Sequence, residues 1–136
     1  MSDLTLTIPG EPMGKGRPRW AKWGAYTDKK TVNYETQIRE RFSSEYPNFI
    51  PLEGSLRLEV WAFHTIPKSK SKKIAFSMEM GRIRPAKRPD ADNILKICLD
   101  ALQTLAYKND SQVVEIEIHK WYSKMPRLEI SIIKEI

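Results

Sequence analysis

Apolar and polar positions alternate at the start of the chain, with Leu4, Leu6 and Ile8 set against Thr5 and Thr7. That is the period of a half-buried β-strand, and Pro9-Gly10 closes it. Residues 11–26 hold three of the six glycines and two prolines, which predicts a loop with a small hairpin around Trp20–Tyr26. The period then lengthens. Tyr34, Ile38, Phe42 and Tyr46 recur every four residues, predicting a helix over about 28–46 that Thr27 or Asp28 caps and Pro47 and Pro51 end. Leu56, Leu58, Val60 and Ala62 alternate with Arg57, Glu59, Trp61 and Phe63, a long strand running to Ile66 and stopped by Pro67. Ser69 or Ser71 caps a short basic helix reaching Met80, with Gly81 after it. A second long helix follows over 90–106. Two strands, about 112–122 and 127–135, finish the chain, joined by a turn at Ser123–Pro126. The order β-α-β-α-β-β predicts an α+β fold, a mixed sheet packed by two main helices, in a single domain over 1–136.

Composition narrows the class. The 136 residues are 40% hydrophobic, with a mean hydropathy of −0.51 and no apolar run near the ~18–20 residues a membrane span needs. The first ten residues lack the basic and apolar regions of a secretory signal, so a cytoplasmic protein is expected. A single cysteine, Cys98, excludes an internal disulfide and a multi-cysteine zinc site. His64 and His119 are far apart, which argues against a histidine-rich zinc site. His64 continues the inward alternation of its strand and reads as structural, His119 as a surface strand residue, and Cys98 as core.

The net charge of +6 is unevenly placed. Lys68, Lys70, Lys72, Lys73, Arg82, Arg84, Lys87 and Arg88 face one acid, Glu79, within residues 67–88, while the rest of the chain is close to neutral. Such a concentration suits either a polyanion, with nucleic acid first, or a solvated charged loop. The stretch 15–26 interleaves Lys15, Arg17, Arg19 and Lys22 with Trp20, Trp23 and Tyr26. It fits either a phosphate track with aromatics that stack on exposed bases, or a packed hairpin with tryptophans in its core. Gly14-Lys-Gly16 lacks the spacing of a phosphate-binding loop.

The sharpest local pattern is Arg88-Pro-Asp-Ala-Asp-Asn-Ile-Leu-Lys96. Pro89 suits the point where the chain turns into a helix, and Asp90 is placed to cap it. At ~100° per residue, Asp92, Asn93, Lys96, Asp100, Gln103 and Thr104 share a narrow stripe, and apolar side chains fill the remaining girth. Asp90 and Asp92 at the positive helix end fit a hard cation such as Mg²⁺, which takes carboxylates, waters and phosphate oxygens. Lys96 would neutralise charge on the phosphate or hold a carboxylate. The same residues also read as an N-cap and an ordinary i,i+4 ion pair. Asp110, in Lys108-Asn-Asp-Ser-Gln-Val, is a third acid or simply a turn residue.

The run Lys87-Arg-Pro-Asp-Ala-Asp-Asn-Ile-Leu-Lys-Ile-Cys-Leu-Asp-Ala-Leu102, followed by Asn109-Asp-Ser-Gln-Val, resembles the RusA family of Holliday junction resolvases. Ile8-Pro-Gly-Glu-Pro, Lys15-Gly-Arg-Pro-Arg19 and Tyr26-Thr agree in order along the chain. The resemblance implies a homodimer, often encoded by a phage or prophage, that cuts four-way DNA using Mg²⁺ (Mn²⁺ as a substitute). It assigns Asp90, Asp92 and Asp110 as catalytic aspartates and metal ligands and Lys96 as the functional lysine. Where some members carry an Asp-Asp pair, this chain has Asn109-Asp110.

A helix from Asp90 to Leu105 is ~22 Å long, which separates Asp90 and Asp92 from Asp110. Two such helices antiparallel across a two-fold would bring Asp110 of one subunit to Asp90 and Asp92 of the other. A return of the chain within one subunit is the competing geometry. Against a Mg²⁺-dependent junction resolvase stand two rivals: a junction-binding architectural protein without cleavage, and a broader nuclease of forks and flaps.

Overall fold

A computed structural model describes residues 3–135. The architecture is α+β, a four-stranded mixed sheet with three helices. Strand β1 (Leu4–Pro9) buries Leu4, Leu6 and Ile8 and exposes the residues between them. It pairs antiparallel with β6 (Arg127–Lys134), which pairs antiparallel with β4 (Leu56–Thr65). On its other side β4 pairs parallel with β5 (Val113–Ser123), giving the order β1-β6-β4-β5.

The two C-terminal strands, although joined by a short turn, are therefore not neighbours. They straddle β4. The burial pattern explains the placement: Leu56, Leu58, Val60, Ala62 and His64 are all buried, and Leu128, Ile130 and Ile132 of β6 are buried beside them. In β5, Val114 and Ile116 stay exposed, and the exposed Glu115 and Glu117 suit an edge strand. Arg57 of β4 holds that edge, with Nη1 2.7 Å from Glu115 and Nη2 2.5 Å from Glu117.

Helix α1 (Lys29–Glu45) starts at Asp28, whose carboxylate accepts a hydrogen bond from the Thr31 amide at 2.8 Å. It buries Tyr34, Ile38 and Phe42, three of the four positions the period picks out. Helix α2 (Lys72–Glu79) is capped by the Ser71 hydroxyl. Gly81 then turns at φ +79° against Trp121, where a Cβ would lie 2.8 Å from the indole. Helix α3 (Ala91–Leu102) buries Ile94, Ile97, Cys98, Ala101 and Leu102 and packs on α1 and β5.

Helix α3 stops four residues before the apolar pattern does. Gln103 is extended, Thr104 takes φ +72°, and the Thr104 amide donates back to the Tyr107 carbonyl at 2.8 Å. Arg39 of α1 donates to the Ala101 and Gln103 carbonyls at 2.8 and 3.0 Å, serving backbone acceptors that the helix end leaves free. That partner is more than sixty residues away, so the local pattern carries no stop signal. Among the described residues no helix is long and apolar enough to cross a membrane.

Candidate active site

The segment leading into α3 is pinned along the C-terminal half of β5. Arg84 Nε donates to the Lys120 carbonyl at 2.7 Å, and the guanidinium lies 3.4 Å over the Trp121 ring. Lys120 Nζ donates to the Lys87 carbonyl at 2.5 Å, and the Lys87 ammonium sits 5.8 Å over Tyr122. Pro85, between the two pinned residues, is buried. Two of the eight basic residues of 67–88 are thus held against aromatic rings. Lys68, Lys70, Lys72, Lys73, Arg82 and Arg88 are exposed and form no ion pair among the described residues.

The strap delivers Asp90 to the N-cap position of α3. The Asn93 and Ile94 amides both bond the Asp90 backbone carbonyl at 3.1 Å, but its carboxylate makes no capping hydrogen bond. The expected side-chain cap is therefore not formed. Asp90 and Asp92 are both exposed, two carboxylates at the positive end of a well-packed helix. Lys96 is exposed one turn on, and no ion pair joins it to Asp92 among the described residues.

Residues 12–17 form the facing wall. The Lys15 amide donates to the Asn93 carbonyl at 2.8 Å, and a Cβ on Gly14 would meet Pro89 and Asn93 side-chain carbons at 2.9 and 3.0 Å. Only glycine lets the backbone pass this close. An open groove of about 580 Å³ results, with Arg17 and Arg88 on its two sides and Asp90 and Asn93 in its wall. The Lys15 side chain points elsewhere. Its ammonium pairs with Glu35 of α1 and with Asp100 of α3 at 2.9 Å, and only 22% of it is accessible. Burial works against that charge, but the two carboxylates outweigh it and raise the lysine pKa.

Two residues absent from the sequence candidates belong to this region. Lys120 shares the face of its register partner Ala62, towards α3. Burial pushes its pKa down, with Lys87 adding to the effect and the Asp90 carboxylate opposing it, so Lys120 and Asp90 lie within electrostatic reach. Glu11, of the Pro-Gly-Glu-Pro motif, accepts from the Thr65 amide at 2.9 Å and pairs with His64 Nδ1 at 3.0 Å. His64 is fully buried and its Nε2 has no partner among the described residues. Burial lowers its pKa despite Glu11. His119 stacks on Trp61 at 6.0 Å, and Cys98 is fully buried, its thiol pushed up to about 12 by burial.

Asp110 lies past the other end of α3 and opens a single 3₁₀ turn, Asp110–Gln112. Asn109 caps that turn, accepting from the Ser111 amide at 2.9 Å. Gln112 locks the loop: its amide nitrogen donates to the Leu52 and Gly54 carbonyls at 2.9 and 3.0 Å, and its oxygen accepts from Lys108 and Asn109. The Gln of the Asp-x-Gln-Val pattern is therefore an organiser of the loop. With α3 between them, a rod of ~18 Å, Asp110 and the Asp90–Asp92 pair stand apart. Among the described residues, no three His, Cys, Asp or Glu side chains are grouped to hold a metal ion.

The sequence profile of the family described as "Endodeoxyribonuclease RusA" matches residues 9–133. A Bacillus subtilis (strain 168) protein, described as "Uncharacterized protein YqaN", is 34% identical over 142 aligned positions, covering 97% of this chain and 96% of that relative. The chain belongs to the RusA family of endodeoxyribonucleases, enzymes that act on branched DNA junctions.

Proposed function

We propose that this protein is a Mg²⁺-dependent endonuclease that resolves four-way DNA junctions by paired phosphodiester hydrolysis, acting as a homodimer with two composite sites. The observation that carries the reading is the Asp90 carboxylate, exposed at a helix N-cap yet making no capping bond. With Asp92 it offers hard oxygen donors in a positive local field, the donor set that suits Mg²⁺ or Mn²⁺. Asp90 and Asp92 of one subunit and Asp110 of the other would hold the ion. When bound, the ion polarises a phosphoryl oxygen and lowers the pKa of a water.

The chain's own residues supply the rest. Lys96, exposed and in no ion pair among the described residues, would neutralise charge on the reacting phosphate. Arg17 and Arg88 flank the groove beside Asp90 and would clamp the DNA backbone there. The Lys120–Lys87 clasp fixes the path of the strap and so the position of Asp90. The track continues over Arg19, Lys22, Lys68, Lys70, Lys72, Lys73 and Arg82. Lys72 and Lys73 occupy the first turn of α2, and Lys29 and Lys30 that of α1, with no acid in either turn. Cations are unfavourable at a positive helix end; at α1 the Asp28 carboxylate offsets this, whereas at α2, capped by Ser71, a polyanion laid across the end would relieve the repulsion. Arg84 and Lys87 join the track only through the strap they pin.

The composite site is supported by the distance along α3. Antiparallel α3 helices across a two-fold would place each Asp110 near the other subunit's Asp90 and Asp92, giving one site for each of two symmetric nicks. The test is nicking of a labelled four-way junction, with and without Mg²⁺, by the native protein and by Asp90→Asn, Asp92→Asn, Asp110→Asn and Lys96→Ala. Each aspartate variant is expected to lose cleavage while keeping its fold and its junction affinity. Binding without nicking under any divalent ion would identify a non-cleaving architectural protein. Equal cutting of forks and flaps would identify a broader nuclease.

A further inference from the structure

Strands β2 (Arg19–Ala21) and β3 (Gly24–Tyr26) form a hairpin outside the main sheet, with only three residue pairs. Trp20 is 79% and Trp23 75% exposed. Tyr26, 39% exposed, lies beside Trp23 with ring centroids 5.4 Å apart. The tryptophans are not a hairpin core: they are large apolar surfaces presented to solvent at the end of a small projection, the kind of surface that marks an interaction site.

The surroundings indicate what they meet. Arg17, Arg19 and Lys22 are exposed around them, no acid occurs between Glu11 and Asp28, and Lys29 and Lys30 follow at the head of α1. Arg19, Tyr26, Lys29 and Lys30 line one concavity of about 420 Å³ at the root of the hairpin, together with Asp28, whose carboxylate is engaged in capping α1. Aromatic faces among phosphate-neutralising cations match nucleobases on their backbone, since every base offers a π-face while its phosphate seeks a positive charge. In continuous duplex those faces are occupied by neighbouring base pairs. They become accessible where stacking is interrupted, as at a branch.

We propose that the β2–β3 hairpin is a wedge whose Trp20 and Trp23 stack on nucleobases exposed at a DNA branch point, so that this protein distinguishes branched from linear DNA. Met13, Gly14 and Gly16 line both the concavity at the root of the wedge and the Asp90 groove, which would couple branch recognition to the position of the reactive phosphate. The proposal rests on the branched-DNA nuclease reading.

The test compares the native protein with Trp20→Ala/Trp23→Ala and Trp20→Phe/Trp23→Phe double variants. Dissociation constants for a four-way junction and for linear duplex of equal length are measured at one salt concentration, without divalent ion. A 2-aminopurine at the branch reports stacking, and sedimentation reports the oligomeric state. The Ala variant is expected to lose at least roughly tenfold in the junction-to-duplex affinity ratio, because one stacked base contributes about that much. It should also lose the quenching of 2-aminopurine, and the Phe variant should restore both. An unchanged ratio in the Ala variant, with the native protein preferring the junction, overturns the wedge alone. A native protein with no junction preference overturns the wedge together with the branched-DNA reading. Ala variants that sediment as a smaller species than the native protein overturn the wedge in favour of a self-interface.

Discussion

Lys15 separates a DNA contact from an internal strut, and the two roles have opposite signatures. Its ammonium bridges Glu35 of α1 and Asp100 of α3, while its own amide is bonded to the Asn93 carbonyl. Lys15→Met keeps the length of the side chain and removes the charge, leaving two carboxylates facing each other across the α1–α3 seam. An exposed ion pair is worth ~0–1 kcal/mol, and removing one partner of a buried pair costs ~3–5 kcal/mol. With 22% of the side chain accessible, Lys15 falls between these limits, so a loss of ~2 kcal/mol is expected. At an unfolding entropy of ~2.1 cal/mol/K per residue, that lowers Tm by ~7 °C in a chain of 136 residues. Thermal and urea unfolding measure it. In a Glu35→Gln/Asp100→Asn background the same substitution should cost much less, because no like charges are left to repel. Duplex binding as a function of salt supplies the second readout: Lys15→Met should leave the log-log slope intact, whereas Arg17→Ala/Arg19→Ala should reduce it by ~0.9 for each phosphate no longer neutralised. Unchanged stability together with a slope reduced by ~0.9 would refute the strut and make Lys15 a phosphate ligand.

Neutralising Lys70, Lys72 and Lys73 together should weaken junction binding and reduce its salt slope by ~0.9 per phosphate released, with no loss of stability. A fluorescence-anisotropy titration across salt concentrations measures this, and an unchanged slope would return those lysines to a solvated loop. The buried His64 makes acid stability a second test. Burial holds its folded-state pKa below the ordinary value, so the unfolded chain takes up the proton first as pH falls. Its contribution is complete above a pH of ~6.5 and is lost as the pH drops from there through the folded-state pKa, with a slope of at most ~1.4 kcal/mol per unit for one proton. Urea midpoints between pH ~7.5 and ~5 report it; a flat profile would mean that folded His64 accepts the proton freely.

Much of the fold is legible in the sequence because the relevant forces are local. The alternation of Leu56 to Ala62 and the four-residue spacing of Tyr34, Ile38 and Phe42 identify the faces that the structure buries, and Asp28 and Ser71 serve as caps at expected positions. What escapes sequence reading depends on partners far along the chain. Helix α3 ends where Arg39 meets its carbonyls, and the Leu102–Ala106 pattern cannot reveal that. The separation of β5 from β6 follows from how β4 is buried, and the three-residue connection between them does not encode it. The site divides in the same way. Asp90 and Asp92 stand out through their spacing and their proline, but the Asp90 carboxylate, in the position of a cap, does not act as one. Lys15 looks like its basic neighbours in sequence, and only the packing of α1 on α3 distinguishes it. Lys120 carries no local signal and Glu11 only that of the Pro-Gly-Glu-Pro motif, since their partners lie on the strap and on β4.

The shared active site is tested most directly by a purified heterodimer of one Asp90→Asn subunit and one Asp110→Asn subunit, assayed for nicking of a four-way junction in Mg²⁺. If Asp110 serves the partner's Asp90 and Asp92, one site collects both substitutions and the other collects neither. The heterodimer then nicks one strand and fails to resolve the junction in paired cuts, while each parent homodimer is inactive. If the site is built within one chain, each subunit carries one defect, and a heterodimer that binds the junction without any nicking would contradict the shared site.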